Sequence, residues 1–171
     1  MRWLVIIVVA SLLGACADTH QLIRQDAAGV KLTPTDTVFV AVPEDGSYGA
    51  DTYRGSGQNA AQIIFSAFAK HTRSAKVGRA VQSFDEALAS TRQARTKYLV
   101  YPTILHWEDR ATEWSSIPDK VEIKIEVVEA STGDVVATGI INGKSGIATF
   151  GGDHPQDLLP KPTEEFVSSL Y

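Results

Sequence analysis

The spacing of apolar residues along the chain predicts five strands of two kinds. Residues 37–42 and 98–107 are nearly continuous apolar runs, which are typical of strands buried on both faces, and 75–81 can form a shorter strand. Residues 121–129 alternate between apolar and charged positions, which predicts an antiparallel strand with one solvated face. A Ser-Thr-Gly-Asp turn follows, so 135–142 is expected to return as the hairpin partner.

Helical spacing appears in three other segments. In 58–70 the apolar residues recur every three or four positions and so share one face. Ser83 and Glu86 form a capping box, in which each side chain bonds to the other residue's backbone N–H, and it opens a second helix that extends to about Arg95. A short final helix is expected after Pro162, where apolar residues again recur at helical spacing.

The predicted element order is therefore β-α-β-α-β-β-β-α. Alternating strands and helices favour parallel crossover connections, whereas three successive strands favour an antiparallel meander. The predicted fold class is α/β with an α+β second half. It has a single mixed sheet, helices on one face, and the Glu/Lys face of 121–129 partly open. Two glycine-rich loops, 44–57 and 143–155, interrupt the pattern.

The start of the chain is typical of an export signal. Arg2 supplies a positive charge, and an apolar run of about eleven residues follows, which is too short to span a bilayer as a helix. The run ends in Leu13-Gly14-Ala15-Cys16, where small residues suit the groove of a signal peptidase. Cys16 is the only cysteine, so the exported protein can form no internal disulfide.

Leu-Gly-Ala-Cys at this position resembles the lipobox of bacterial lipoproteins. The resemblance implies that the signal is cut before Cys16, that the sulfur receives a diacylglycerol and that the new amino group is acylated. Two or three acyl chains anchor a protein stably. A plain secretory signal followed by an accidental cysteine is the alternative. In enterobacterial lipoproteins an aspartate after the cysteine retains the protein in the inner membrane, so Ala17 favours the inner leaflet of the outer membrane.

The predicted organisation is a signal peptide at 1–15, a lipid-anchored tether at 16–35 and a single periplasmic α/β domain at 36–171. The tether is inferred because that segment is mostly small and polar. The net charge of −4 is spread along the chain without a basic block, which argues against nucleic acid as a partner. The acyl chains on Cys16 are the predicted contact with the membrane.

Six segments of the chain carry a family resemblance. They are the lipobox, the strand Val-Phe-Val-Ala-Val, the loop Tyr-Gly-Ala-Asp-Thr-Tyr-Arg-Gly-Ser-Gly, the segment Tyr-Leu-Val-Tyr-Pro-Thr-Ile-Leu-His-Trp-Glu-Asp-Arg, the Ser-Thr-Gly-Asp turn and the Leu-Leu-Pro…Leu-Tyr ending. Together they resemble a family of small proteobacterial lipoproteins known only as a domain of unknown function. More distantly, the element order is similar to the periplasmic α/β domain of the Tol–Pal translocation protein, to the curli-secretion lipoprotein and to lipoprotein activators of peptidoglycan synthases. The resemblance implies a binding or assembly protein, with an envelope protein or peptidoglycan as its partner.

The loop before the first predicted helix is a candidate anion-binding site. Gly55-Ser56-Gly57-Gln58-Asn59-Ala60 matches the Gly-x-Gly-x-x-Ala pattern of dinucleotide folds, but it lies well after the strand, where those folds need a tight turn. Free N–H groups at Gly55 and Gly57, beside Arg54, would still bind an anion at the helix N-terminus. The alternative is a flexible loop with a helix cap.

A second candidate site is the turn that follows residues 98–107. Trp107 and Trp114 flank this charged turn, which includes Arg110. Because tryptophan and arginine are common interface anchors, these three residues form a candidate contact with a partner. The alternative is that both indole rings cover the edge of the sheet.

No catalytic motif emerges from the remaining residues. The four histidines are not at metal-ligand spacing, and neither a Gly-x-Ser-x-Gly elbow nor a Ser-x-x-Lys motif is present. We therefore expect no catalytic residues, no metal and no cofactor, and a non-enzymatic binding or assembly accessory of the cell envelope. The alternatives are a periplasmic enzyme and a protein that binds a small anion, acting on cell-wall or envelope material.

Overall fold

A computed structural model describes residues 18–26, 30–109, 118–146 and 154–171. In these residues the elements follow one another in this order: β1 (Thr19–Asp26), β2 (Thr37–Val42), β3 (Ser47–Tyr48), β4 (Asp51–Thr52), α1 (Ser56–His71), β5 (Ser74–Val81), α2 (Phe84–Gln93), β6 (Tyr98–Glu108), β7 (Lys120–Glu129), β8 (Val135–Lys144), a 3-10 helix (Pro155–Leu158) and α3 (Pro160–Ser168).

Six of these strands form one mixed sheet in the order β1-β8-β7-β6-β2-β5. Strands β5, β2 and β6 are parallel, whereas β6, β7, β8 and β1 follow one another in antiparallel pairs. Strands β3 and β4 pair as a small separate ribbon inside the predicted loop 44–57. The α/β fold class, the single mixed sheet and the predicted element order are confirmed.

The segment predicted as a tether contributes an additional strand. β1 pairs with β8 over its whole length, beginning with Thr19 opposite Lys144. Further along, Leu32 is buried and its N–H donates to the Leu170 carbonyl oxygen at 2.8 Å. The expectation of a tether throughout 16–35 is therefore wrong for these residues. β1 is an edge strand of mostly polar residues, and its place depends on pairing with β8 rather than on an apolar pattern of its own.

The helices lie on both faces of the sheet, which corrects the expectation that they share one. α1 and α3 pack on the face that carries Val40 and Ile123, whereas α2 packs against Ala41 and Leu99 on the opposite face. The connection from β2 to β5 runs outward, and the connection from β5 to β6 runs back past β2. Because both crossovers are right-handed, reversing their direction places their helices on opposite faces.

The main core lies between the sheet and the two helices α1 and α3. Its largest fully buried side chains include Trp107, Phe68 and Phe166. β7 contributes the four apolar residues whose alternation predicted this strand: Val121, Ile123, Ile125 and Val127. Full burial of one such aliphatic or aromatic side chain contributes about 1.5–3 kcal/mol. A smaller apolar cluster under α2 covers the opposite face of β2 and β6.

Two glycines on β8 allow the C-terminal helices to approach the sheet closely. A Cβ at Gly139 would lie 2.8 Å from Cδ2 of Phe166, and a Cβ at Gly143 would lie 2.8 Å from Cβ of Leu158. Carbon atoms at such distances overlap, and a close-packed core has little room to relax. The absence of a side chain at these two positions therefore sets the height of α3 and the 3-10 helix above the sheet.

We expect Gly139→Ala to lower the free energy of unfolding by about 1–3 kcal/mol, because the new methyl group overlaps the buried Phe166 ring. Gly78→Ala on β5 is the matched control, since its Cβ would meet ordinary contacts at 3.5 Å and beyond. Urea denaturation followed by circular dichroism measures both. Equal stability of the two variants would show that Gly139 does not limit the approach of α3.

Polar side chains join the last turn of α1 to α3. Lys70 Nζ donates to Glu164 at 2.7 Å, and His71 Nε2 lies 2.9 Å from the other carboxylate oxygen of Glu164. These hydrogen bonds, that of Lys70 first, hold the pKa of Glu164 below its ordinary value. The His71 ring also stacks on Tyr171, with centroids 5.1 Å apart. The C-terminal segment is thus fixed to α1 by both charge and packing.

We expect Glu164→Gln to lower the free energy of unfolding at pH 7 by about 0.5 kcal/mol, since the ion pair is partly exposed. The folded state holds the pKa of Glu164 below its unfolded value, so this contribution is present above about pH 5 and is lost as the pH falls through the folded pKa. The stabilities of Glu164→Gln and the unmodified protein should therefore converge as the pH falls through the folded pKa of Glu164. Lys70→Met should show the same convergence, and a constant difference across this range would contradict a charge effect.

Candidate functional site

A cleft of about 590 Å³ opens at the carboxyl ends of β2 and β5. The chain leaving β2 leads to α1 on one face of the sheet, and the chain leaving β5 leads to α2 on the other face. Two adjacent parallel strands with such diverging connections leave a crevice between them, and open α/β sheets bind their ligands in this crevice. The cleft is therefore the candidate functional site.

Three separate segments of the chain line the cleft. Residues 43–47 follow β2, residues 81–83 follow from the end of β5, and residues 101–106 belong to β6. Glu86, in the first turn of α2, completes the lining. These segments are far apart in the sequence, so the sheet order and the two crossovers bring them together.

The first of these segments is held in place by Asp45. One oxygen of its carboxylate accepts hydrogen bonds from the Gly55 N–H at 3.1 Å and from the Gly57 N–H at 2.9 Å. The hydroxyl oxygen of Ser56 accepts another from the Gly46 N–H at 2.8 Å. The segment after β2 is thus tied directly to the N-terminus of α1.

These contacts correct the interpretation of the predicted anion site. The N–H groups of Gly55 and Gly57, which the sequence predicts to be free, donate to the chain's own Asp45. The negative charge that favours a helix N-terminus is therefore supplied internally. Gly57 is also required for close packing, because a Cβ there would lie 2.3 Å from the Pro43 carbonyl oxygen. Arg54 is exposed beside this loop, and an external anion would have to displace Asp45.

The charged side chains that line the cleft are acidic. They are Glu44, Asp45 and Glu86, and the lining includes neither lysine nor arginine. The N–H and the hydroxyl of Ser83 both donate to Glu86 at 2.9 Å, and they hold the pKa of Glu86 below its ordinary value. With three acidic side chains and neither a lysine nor an arginine in its lining, the cleft carries a negative potential.

Tyr101 presents an aromatic ring to this acidic lining. The ring lines the cleft and packs edge-on against Phe84, with centroids 5.4 Å apart. Burial first, and then the carboxylates of Glu44 and Glu126, raise the pKa of Tyr101 above its ordinary value. The phenol therefore stays neutral at physiological pH and keeps its hydrogen-bond donor.

Exposed apolar side chains gather around the mouth of the cleft. Val81 is 51% exposed and Leu105 is 49% exposed, and both belong to the lining. Tyr48, from β3, is 38% exposed and packs edge-on against the His106 ring at 5.3 Å. Three of the five large apolar residues exposed in the described part of the chain thus lie at one place. Such clustering marks interaction sites more often than single exposed residues do.

A β-bulge determines which side chains the end of β6 presents. β6 and β7 stay in register up to Ile104, but His106 then pairs with Glu122, so Leu105 is the extra residue. The bulge reverses the alternation along β6 and turns the Trp107 ring into the main core, where it is 1% exposed. The expectation that Trp107 contacts a partner is therefore wrong, and the alternative of packing holds for this residue.

Three predicted site residues lie outside the residues that the structure describes. They are Arg110 and Trp114 of the predicted partner contact, and Cys16, the predicted lipidation site. The contact at Arg110 and Trp114 and the lipidation of Cys16 remain predictions.

The sheet surface next to the cleft is polar, as the alternation of β7 predicts. We call this surface the open face and define it by three half-buried residues of β7: Glu122, Lys124 and Glu126. Lys124 Nζ lies 2.9 Å from Glu126 Oε2. At its margin, Lys120 forms an ion pair at 3.3 Å with Glu108, whose side chain is buried.

Each histidine of the described segments lies beside one carboxylate of the chain. His20 lies 3.2 Å from Glu165, and His154 lies 3.3 Å from Asp109. Across residues 18–26, 30–109, 118–146 and 154–171, no cluster of three or more acidic, histidine or cysteine side chains is arranged to hold a metal ion. The same residues include no helix of the length and apolar character needed to cross a membrane.

Comparison with solved structures shows that the fold is shared. The PelC dodecamer from Paraburkholderia phytofirmans is 15% identical, with a TM-score of 0.71, and the match covers 89% of this chain and 97% of PelC. The protein XCC0632 from Xanthomonas campestris, of the DUF330 family, is also 15% identical, with a TM-score of 0.51 and coverage of 85% and 90%. At this level of identity the likeness is one of fold.

Comparison by sequence shows the family. None of the curated proteins matches the chain. The model of a family described as a domain of unknown function, DUF4823, matches residues 30–170. This match spans nearly all of the described domain and confirms the resemblance seen in the sequence, so the chain belongs to the DUF4823 family.

Proposed function

We propose that this protein is a lipid-anchored, non-enzymatic component of the cell envelope that binds another envelope component. The anchor is supported by the residues at the end of the signal, because Leu13-Gly14-Ala15-Cys16 resembles a lipobox. Ala17, directly after the cysteine, favours the inner leaflet of the outer membrane. The α/β domain would then face the periplasm while the acyl chains hold it to the membrane.

The cleft is the observation that carries the binding function. It lies where open α/β sheets bind ligands, and its volume of about 590 Å³ falls in the usual range for ligand sites. Two of its carboxylates already have structural roles, since Asp45 holds the N-terminus of α1 and Glu86 caps α2. Carboxylates that accept hydrogen bonds within the chain are poorly placed to transfer a proton to a substrate. This favours a cleft that binds a partner over one that catalyses a reaction.

Self-assembly is a second candidate function, and one observation favours it. The PelC structure from Paraburkholderia phytofirmans, which has the same fold over nearly its whole length, is a dodecamer. Anchoring many copies on one membrane raises their local concentration and would favour such an assembly. In this case the bound envelope component would be a second copy of the same chain.

Crosslinking in cells tests the proposal, with a lysine-reactive reagent and mass spectrometry of the crosslinked peptides. We expect a defined partner that is lost at least about tenfold in Cys16→Ala, because loss of the anchor removes the shared membrane and its high effective concentration. Asp18→Asn, which keeps the cysteine and the residues before it, is the matched control and should retain the partner. Lysines report the surface involved. Lys124 pairs with Thr103 of the cleft lining and Lys120 pairs with Glu108 at the same end of β6, whereas Lys97 lies at the other end.

The identity of the crosslinked peptide separates the two candidates. Crosslinks to a different envelope protein support a binding accessory, whereas crosslinks between two copies of the chain support self-assembly. Sedimentation of the purified protein then gives the number of copies. A protein that crosslinks to nothing with Cys16 intact contradicts both candidates.

A further inference from the structure

The position of the cleft and the apolar side chains at its mouth, rather than its acidic residues, identify it as a ligand site. Its position follows from the diverging connections after β2 and β5, and that position binds ligands in open α/β sheets. Its mouth is ringed by exposed apolar side chains, two of which, Val81 and Leu105, belong to the lining. These two observations are independent of the acidic residues, which bear only on the chemistry of the ligand.

The negative charge of the lining residues determines which charge a bound ligand can carry. Glu44, Asp45 and Glu86 line the cleft without a lysine or arginine among the lining residues, so an anion would be repelled. Glu44 is exposed, and no hydrogen bond joins its carboxylate to the described residues. Glu44 and the Tyr101 ring both line the cleft. A cation placed between Glu44 and Tyr101 is attracted by both the carboxylate and the face of the ring.

The apolar side chains constrain the rest of the ligand. Val81 and Leu105 would cover an aliphatic stem, while the carboxylates receive a charged end. A stem of this kind is buried along apolar surface while its charged head keeps polar contacts, as lysine side chains do. A guanidinium would instead call for two carboxylate oxygens held in a fixed orientation. Asp45 and Glu86 each already use one oxygen within the chain, and the exposed Glu44 carboxylate is not held by a hydrogen bond to the described residues.

From this geometry we infer that the cleft binds a ligand presenting a primary ammonium group on an aliphatic stem. The inference rests on the proposed binding function and names the chemistry that the bound component presents. The ammonium group lies between Glu44 and the Tyr101 ring, and the stem passes Val81 and Leu105 at the mouth. The same chemistry occurs in a lysine side chain of a partner protein and in a small free amine.

Titrations followed by amide chemical shifts test the inference on the full chain in detergent micelles. The probes are Nα-acetyl-lysine amide, which presents the amine as a protein would, and cadaverine, which presents it as a free small molecule. We expect saturable shifts confined to residues 43–47, 81–83 and 101–106, with a dissociation constant on the order of 1 mM. Nα-acetyl-norleucine amide has the same stem without the charge and should bind at least about fivefold more weakly.

Variants assign the binding to named residues. Glu44→Gln should weaken binding of the lysine probe about three- to fivefold, as expected for loss of one partly solvated ion pair. Glu129→Gln is the matched control, because it removes the same charge at the opposite end of the sheet. Tyr101→Phe keeps the ring and should bind as the unmodified protein does, whereas Tyr101→Ser should lose most of the affinity. The amide spectrum of each variant shows whether it is folded.

Three results would overturn the inference. They are equal binding of the norleucine and lysine probes, unchanged affinity in Glu44→Gln, and shifts scattered over the acidic surface that weaken equally in Glu129→Gln. Failure here is distinct from failure of the proposed function. A protein that crosslinks to a partner but binds neither amine removes only the ammonium site, whereas amine binding without any crosslinked partner removes the proposed function.

Discussion

β2 lies between β5 and β6 in the sheet, and the chain runs from β2 to β5 and then back past β2 to β6. Both of these parallel connections must be right-handed. The reversal of direction places α1 and α2 on opposite faces of the sheet, so β2 is covered on both faces. This explains why its apolar residues form a continuous run, with Val40 under α1 and Ala41 under α2. The same divergence separates the two chain segments that leave β2 and β5, and the cleft is the space between them.

The sequence predicted those elements whose signal lies within the element itself. The apolar run at 37–42 and the alternation at 121–129 correspond to β2 and β7 within one residue at either end. The capping box at Ser83 is present with both of its hydrogen bonds. β1 was not predicted, because its stability comes from pairing with β8, more than a hundred residues later. The face on which α2 packs was also wrongly predicted, since it depends on strand order and not on the helix sequence.

The candidate site was harder to predict, because it depends on contacts between distant segments. The glycines at 55 and 57 suggested free N–H groups, but the carboxylate that occupies them belongs to Asp45, ten and twelve residues earlier in the chain. Trp107 was a candidate partner contact, with packing as the alternative, and a single extra residue at Leu105 turns it into the core. The cleft itself combines segments after β2, after β5 and along β6, none of which has a recognisable motif. A parallel-sheet prediction alone would have pointed to that end of the sheet.

The pairing of β1 with β8 limits how far the domain reaches from the membrane. β1 begins at Thr19, three residues after Cys16, and an extended chain spans at most about 3.6 Å per residue. With Cys16 lipidated as proposed, a linker with a maximum length of roughly 11 Å joins the acyl chains to the sheet. Thr19 lies at the end of the sheet where β6 finishes at Glu108, which is the end where the cleft opens. The cleft and β1 lie toward opposite edges of this end of the sheet, so a component bound in the cleft would be held within about one sheet width of the lipid headgroups.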